Sequence, residues 1–395
     1  MLSAEEKTRY SRHLMLPQLG EEGQNRLKKA SVLVVGAGGL GSPALIYLAA
    51  AGVGTIGIVD FDTVDPTNLH RQILYTTEDV GRLKLDAAKD RLYSLNPLVN
   101  VRLHSGRLTS DNALEIISAY DLVLDGTDNF ATRYLVNDAC VLTQTPNVFA
   151  SIYQFDGQIS VFGDPNGPCY RCVFPEPPPP GTVPSCAEGG VLGVLPGILG
   201  TLQAAEAIKY LTGLGESLVG RLLLVDAFTM TFKNLLIKRD PECAICSERP
   251  SLQGLIDYEM FCQGSRLDPT ELVDTPNPNP SEFMFFGSQI PSITVLELQQ
   301  KKESMEDFLL LDVRRADEVQ IADIGGVLIP MDELPDRMAE ITSYEGKDIV
   351  VMCRSGARSA SVVQWLQKQG IDRVYNLEGG ILAWSRQIDS SVAQY

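Results

Sequence analysis

The residues best able to do chemistry in this chain are its eight cysteines, and their spacing sorts them into roles. Cys169-Tyr170-Arg171-Cys172 and Cys243-Ala244-Ile245-Cys246 are two matched Cys-x-x-Cys turns about seventy residues apart. One such turn could be redox-active; two together supply the four thiolates that close a tetrahedral Zn²⁺ site and tie distant segments to each other. That site is expected to be structural and closed, because no further position with histidine or water is suggested. Cys353 opens the run Cys353-Arg354-Ser355-Gly356-Ala357-Arg358-Ser359. A sulfur there faces backbone amides, a helix start and two arginines, a setting that favours a thiolate. Cys186 has small and polar neighbours, Pro184-Ser185-Cys186-Ala187-Glu188-Gly189-Gly190, which suits an accessible nucleophile on a loop. Cys140 falls among apolar residues and is expected in the core, and Cys262 is assigned no chemistry.

A second set of residues is suited to phosphate. Val34-Val35-Gly36-Ala37-Gly38-Gly39-Leu40-Gly41 lies between a strand-like run and a helical one. Its glycines permit a tight turn and let backbone amides approach phosphates at a helix start. Asp60 ends the next strand-like run, placed to accept hydrogen bonds from ribose hydroxyls. These features alone fit NAD, FAD or ATP. Asn68-Leu69-His70-Arg71-Gln72 then follows, Gly81-Arg82-Leu83-Lys84 opens the next helix, and Asp125-Gly126-Thr127-Asp128-Asn129 ends a strand. A dehydrogenase needs neither gathered cations near a phosphate nor an acidic cluster suited to Mg²⁺. Attack by a carboxylate on an α-phosphate needs both, since like charges repel by about 4 kcal/mol at about 4 Å and an effective dielectric of about 20.

The elements that must position these groups follow from apolar patterning. Strands are expected at 31–36, 55–60, 99–103 and 121–125, with helices at 40–51, 83–94 and 131–142, an α/β pattern with a parallel sheet covered on both faces. A hairpin around Asp156-Gly157, a stiff run from Pro177 to Pro180, a helix at 202–211 and strands at 221–227 and 231–237 complete this region. Residues 268–289 are rich in Pro, Asn, Asp and Ser and lack periodicity, as a linker would. A smaller α/β pattern follows, with strands at 308–312, 327–329, 349–352 and 374–376. At 395 residues the chain exceeds one core, and the expected division is 1–250, a linker at 251–289, and 290–395.

The ordered set Arg9-Tyr10-Ser11-Arg12, Gly36-x-Gly38-Gly39-Leu40-Gly41-Ser42, Val59-Asp60-Phe61-Asp62, Asn68 to Gln72 and Asp125 to Asn129 resembles the MoeB/ThiF family of ubiquitin-activating-enzyme-like adenylyltransferases. The resemblance covers roughly residues 2–248. It implies a Rossmann-like doubly wound sheet with a zinc-bearing subregion, with Gly39 at phosphate and Asp60 at ribose. It further implies Asn68, Arg71 and Lys84 at the phosphates of ATP, Asp128 at Mg²⁺ with Asn129 beside it, and structural zinc on the four paired cysteines. Arg12 is implied to reach a neighbouring subunit's site, so a homodimer is expected, and Cys186 falls where the family has a catalytic or thioester-forming cysteine.

The Cys353 loop belongs to a design shared by tyrosine phosphatases and rhodaneses. A phosphatase has five residues between cysteine and arginine; here there are four, and Ser359 stands where that arginine would be. With Leu311-Asp312-Val313-Arg314 and Leu377-Glu378-Gly379-Gly380-Ile381-Leu382-Ala383-Trp384, residues 290–388 resemble the rhodanese family. One departure is Asp323-Ile324-Gly325-Gly326, where the family often has His-Ile-Pro-Gly.

Together the resemblances imply an enzyme that adenylates the C-terminal glycine of a ubiquitin-like sulfur-carrier protein. Cys353, loaded as a persulfide by a cysteine desulfurase, would then convert it to a thiocarboxylate, with Cys186 resolving an acyl disulfide or forming a thioester beforehand. The molybdopterin synthase small subunit is the favoured carrier, with thiamine, cysteine or tRNA-thiolation carriers as alternatives. A net charge of −17 disfavours direct nucleic-acid binding. The absence of a signal-like start or a long apolar run points to a cytoplasmic protein with no membrane role. An NAD-dependent oxidoreductase and a chemically silent scaffold are the rival readings.

Overall fold

The computed structural model describes residues 1–178, 189–262, 290–344 and 346–394, and the chain divides into two compact units, Met1–Asp268 and Pro269–Tyr395. In the first, β1 (Ser31–Val35) sends Val32 and Val34 into one core and Leu33 and Val35 into the other, as a strand buried on both faces must. With it run β2 (Thr55–Asp60), β3 (Asn100–Ser105), β4 (Leu122–Asp125), β5 (Asn147–Tyr153), β6 (Asp156–Phe162), β7 (Arg221–Asp226) and β8 (Thr231–Leu236). Their order in the sheet is β3-β2-β1-β4-β5-β6-β7-β8. The strands from β3 across to β5 are parallel, and β6, β7 and β8 are added antiparallel. Helices Gly41–Ala51, Lys84–Leu95 and Leu195–Thr212 pack on one face, and Ala113–Ser118 and Phe130–Thr143 on the other. The winding reverses between β1 and β4, which leaves a crevice beyond their carboxyl ends.

Three details depart from the sequence reading. The helix expected at 202–211 begins at Leu195, with Pro196 in its first turn. Its glycines allow close packing: a Cβ on Gly200 would meet the Leu40 carbonyl oxygen at 2.2 Å. The hairpin turns at Gln154-Phe155, because Tyr153 pairs with Asp156. Gly157 instead makes room for Leu199, 2.6 Å from where its Cβ would be. Finally, Tyr258–Cys262, inside the expected linker 251–289, is a short helix packed on the first unit, where the Tyr258 hydroxyl donates to Asp138 at 2.9 Å.

The second unit is a five-stranded parallel sheet, order β11-β10-β12-β13-β9. Its strands are β9 (Ser292–Ile293), β10 (Phe308–Asp312), β11 (Val327–Leu328), β12 (Asp348–Met352) and β13 (Val374–Leu377). The two-residue β9 is too short to show a period in the sequence. Helices Met338–Thr342 and Ala357–Lys368 cover one face, Val295–Glu303 and Gly380–Gln387 the other. Among the described residues no helix is long and apolar enough to cross a membrane.

Candidate active sites and metal centre

The crevice beyond β1 and β4 is formed by backbones in close contact. Gly36 has φ +90°, and a Cβ on it would lie 2.9 Å from the Gly126 carbonyl oxygen; one on Gly41 would lie 2.0 Å from the Gly36 carbonyl oxygen. Only glycine fits at such distances, so the loops after β1 and β4 share one floor. Asp60 accepts hydrogen bonds from the Ala37 and Asp62 N–H groups, each at 2.8 Å, and the Tyr75 hydroxyl donates to the Ala37 carbonyl at 2.8 Å. The glycine loop is thereby held before any ligand arrives. A Cβ on Gly39 would sit 3.8 Å from Arg71 Cδ and 3.1 Å from Pro196, and one on Gly38 would sit 3.6 Å from Gln72 Nε2. Arg71 and the first turn of Leu195–Thr212 therefore flank the loop. Pro196, Tyr75 and Gln72 were not singled out from the sequence; only Gln72 lay within a motif.

Other expected residues occupy different settings. Asn68 ends the short turn Pro66–Asn68, just before Arg71, which donates to the Thr67 carbonyl at 3.0 Å. Lys84 is buried, its Nζ 2.9 Å from an Asp62 oxygen, so it is not a loose surface charge. Asp128 and Asn129 are exposed after β4, and Asn129 caps Phe130–Thr143 by accepting from the Thr132 N–H at 2.9 Å. Asp125 is fully buried and accepts from the Thr127 N–H and hydroxyl; burial, the largest influence, pushes its carboxyl up. Asp128 is thus the carboxylate of this loop open to a cation. Arg12 is exposed on Ser11–Leu14, its guanidinium 3.7 Å from Met15 Sδ, and none of its described contacts is with the glycine loop.

Cys169, Cys172, Cys243 and Cys246 meet with all sulfurs within 4.8 Å of one another. Individual separations are 3.3 Å (Cys172 to Cys246), 3.5 Å (Cys169 to Cys243) and 3.9 Å (Cys169 to Cys172). A tetrahedron with metal–sulfur bonds of about 2.3 Å has edges of about 3.8 Å, so the cluster fits a tetrahedral ion. Arg171, inside the first turn, forms a fully buried fork to Asp138 at 2.8 to 3.1 Å and lies over the Tyr134 and Phe261 rings. Sequence reading passed over it as a spacer. The other described cysteines of the first unit are inert by position. Cys140 is in the core with its thiol pushed well up by burial, and burial followed by the Glu259 charge pushes Cys262 up to about 11. Cys186 lies outside the described residues.

In the second unit Cys353 directly follows β12 and is fully buried. Its sulfur accepts from the Gly356 N–H at 3.2 Å and the Ser359 hydroxyl at 3.3 Å. The glycine motif after β13 holds this loop from behind. The Ile381 and Leu382 N–H groups donate to the Cys353 and Arg354 carbonyls at 3.0 and 3.1 Å. Arg358, expected to stabilise the sulfur anion, is instead forked onto Glu318 at 2.6 and 2.8 Å. The cause is simple: Ala316–Ile321 presents the buried Glu318 carboxylate, and a fork between two charged groups is the strong kind of hydrogen bond. Arg314 is likewise paired with Asp312, both buried, so the Asp-Val-Arg motif is architectural.

The ThiF family model matches residues 10–245 and the rhodanese-like domain model residues 294–387. The chain belongs to the ThiF family. The chain is an enzyme that joins an adenylyltransferase to a sulfurtransferase domain. It is 46% identical to a probable adenylyltransferase/sulfurtransferase MoeZ of Mycobacterium tuberculosis, over all of this chain and 96% of that one. It is 43% identical to adenylyltransferase and sulfurtransferase MOCS3 of Culex quinquefasciatus, over all of this chain and 90% of that one. A sulfur carrier protein adenylyltransferase of Thermus thermophilus is 60% identical over 65% of this chain and 97% of its own length. Among solved structures, Escherichia coli MccB with ATP superposes with a TM-score of 0.55 at 23% identity, covering 62% of this chain and 75% of that one, a likeness of fold.

Proposed function

We propose that this ThiF-family enzyme adenylates the C-terminal glycine of a ubiquitin-like sulfur-carrier protein and then supplies sulfur to it from a persulfide on Cys353. The observation that carries the reading is the shared floor of the loops after β1 and β4, flanked by Arg71, in a chain that also places a cysteine at the head of a rhodanese loop. The carrier carboxylate attacks the α-phosphate of ATP, forming the acyl-adenylate as pyrophosphate leaves. Amides of Gly36, Gly38, Gly39 and Gly41 and the side chains of Asn68, Arg71 and Lys84 receive the phosphates, and Asp60 the ribose. Lys84 leaves Asp62 to do so. Asp128, beside Asn129, would hold Mg²⁺, which supplies charge neutralisation at the phosphates. The four paired cysteines would hold Zn²⁺ as a structural clasp.

Cys353 is buried, so the reactive atom is the outer sulfur of its persulfide, one S–S bond of about 2 Å farther along. That sulfur attacks the activated acyl carbon, displacing AMP and forming an acyl disulfide. The Cys186 thiolate then attacks the Cys353 sulfur; the carrier leaves as thiocarboxylate, and a Cys186–Cys353 disulfide remains for an external thiol to reduce. A cytoplasmic homodimer with Arg12 acting across the subunit boundary, fed by a cysteine desulfurase, completes the proposal. The printed name of the Thermus thermophilus relative supports a sulfur carrier as partner, and the favoured one is the small subunit of molybdopterin synthase.

The test is ATP–pyrophosphate exchange with purified chain and carrier, which should be carrier-dependent and lost in Arg71→Ala. Cys353→Ala should abolish thiocarboxylate formation while carrier–AMP still accumulates. An absence of exchange, or loss of both products in a folded Cys353 variant, refutes this division of labour. NAD reduction, or full activity of the cysteine variant, would favour the rivals.

A further inference from the structure

The sulfur of Cys353 is not held by backbone alone. Ser359, fully buried in the first turn of Ala357–Lys368, puts its hydroxyl 3.3 Å from Cys353 Sγ, 2.6 Å from Asn376 Oδ1 and 3.1 Å from the Gly356 carbonyl oxygen. Asn376 comes from the neighbouring strand β13 and is itself buried. A hydroxyl has one proton and here three acceptors, so the proton goes to whichever is most electron-rich. With a neutral sulfur that acceptor is an amide or peptide oxygen; with a sulfur anion it is the sulfur, because hydrogen bonds to charged groups are the stronger ones.

The geometry points to Ser359 as a hydroxyl switch for the sulfurtransferase reaction, turning from Asn376 to Cys353 whenever Sγ carries negative charge, with Asn376 as the positioning residue that parks it otherwise. The inference rests on the reading of Cys353 as the persulfide carrier. Sγ is anionic at two moments. In loading, the Cys353 thiolate attacks the outer sulfur of a donor persulfide; the new S–S bond forms, the donor's S–S bond breaks, and the electron pair leaves on the donor thiolate. In unloading, cyanide takes the outer sulfur, or an external thiol reduces the Cys186–Cys353 disulfide that transfer to the carrier leaves, and Cys353 departs as thiolate. Between these moments Sγ is the neutral inner atom of a disulfide-like bond, and the hydroxyl is free to return to Asn376. The same group therefore assists the sulfur as nucleophile and as leaving group. Arg358 cannot take that place while forked onto Glu318.

The test uses the full chain, with thiosulfate as sulfur donor and cyanide as acceptor, followed as thiocyanate. Alkylation of Cys353 by iodoacetamide is followed in parallel as a function of pH, by mass spectrometry of its peptide. Ser359→Ala should slow thiocyanate formation about tenfold and move the alkylation profile to higher pH. Ser359→Thr, which keeps the hydroxyl, should return the profile toward wild type, and thermal unfolding of each variant reports whether it is folded. A Ser359→Ala profile that coincides with wild type, or a threonine variant no better than alanine in a folded chain, overturns the switch. A wild-type chain whose Cys353 alkylates but forms no thiocyanate overturns the sulfurtransferase reading instead, and the two failures are told apart by which chain fails.

Discussion

Gly380 has φ +57°, and a Cβ on it would fall 2.4 Å from the Cys353 carbonyl oxygen and 2.6 Å from that of Arg354. Alanine there brings backbone strain of about 1–3 kcal/mol and presses on the loop that carries the sulfur. Gly380→Ala is therefore expected to lower both the unfolding temperature and the rate of thiocyanate formation; unaltered kinetics would mean the loop is not held from that side. Glu318 makes a prediction about pH. Burial pushes its carboxyl up, but the Arg358 fork and the Arg315 N–H outweigh burial and leave it below the ordinary carboxylate range. A group whose folded value is depressed adds stability above its unfolded value and loses it as pH falls through the folded one. Urea midpoints of wild type and Glu318→Gln should thus differ at neutral pH and converge under acid; a gap that stays constant with pH would refute this. Gly380 lay within a quoted motif, but Glu318 was not visible as important in the sequence, since it lies far from Cys353 in the chain and only folding makes it the partner of Arg358.

Elements were legible where the pattern was long. β1, β2, β4 and the helices Gly41–Ala51 and Lys84–Leu95 fall within a residue or two of expectation, because runs of Val, Ile and Leu buried on both faces have few other uses, whereas the short helix Ala113–Ser118 was not expected. Gly-rich stretches misled: the first two turns of Leu195–Thr212 and the register of the β5–β6 hairpin depend on how closely a helix approaches a sheet, which composition does not encode. The metal clasp shows the same limit. Spacing identified four cysteines, yet the buried Arg171–Asp138 pair that seats the first turn on Phe130–Thr143 went unnoticed. Breaking such a pair leaves an uncompensated charge, so Arg171→Ala should cost about 3–5 kcal/mol of stability. Denaturant unfolding of the variant, with its metal content measured alongside, checks this; a chain that binds metal normally and unfolds like wild type would show the pair to be dispensable.

At the scale of the whole molecule, the homodimer proposal makes a prediction that no single chain can satisfy. If Arg12 acts across subunits, Arg12→Ala and Arg71→Ala chains are each inactive alone, while a mixed dimer rebuilds one intact site. After co-refolding equal amounts, pyrophosphate exchange should return to roughly a quarter of wild type, as random pairing in a twofold dimer requires; no recovery would place Arg12 outside the neighbouring site. The sequence by itself determined the two α/β units, the phosphate loop, the four paired thiols and the sulfur-bearing loop, because each rests on residues close in the chain or on a motif whose chemistry demands those types. Only the tertiary structure decided which charges are available. Arg358 turned out to be neutralised, Lys84 buried against Asp62, Asp125 sealed from solvent and Ser359 set on the sulfur, since a side chain's partner is chosen by what folding brings within about 3 Å and not by its neighbours along the chain.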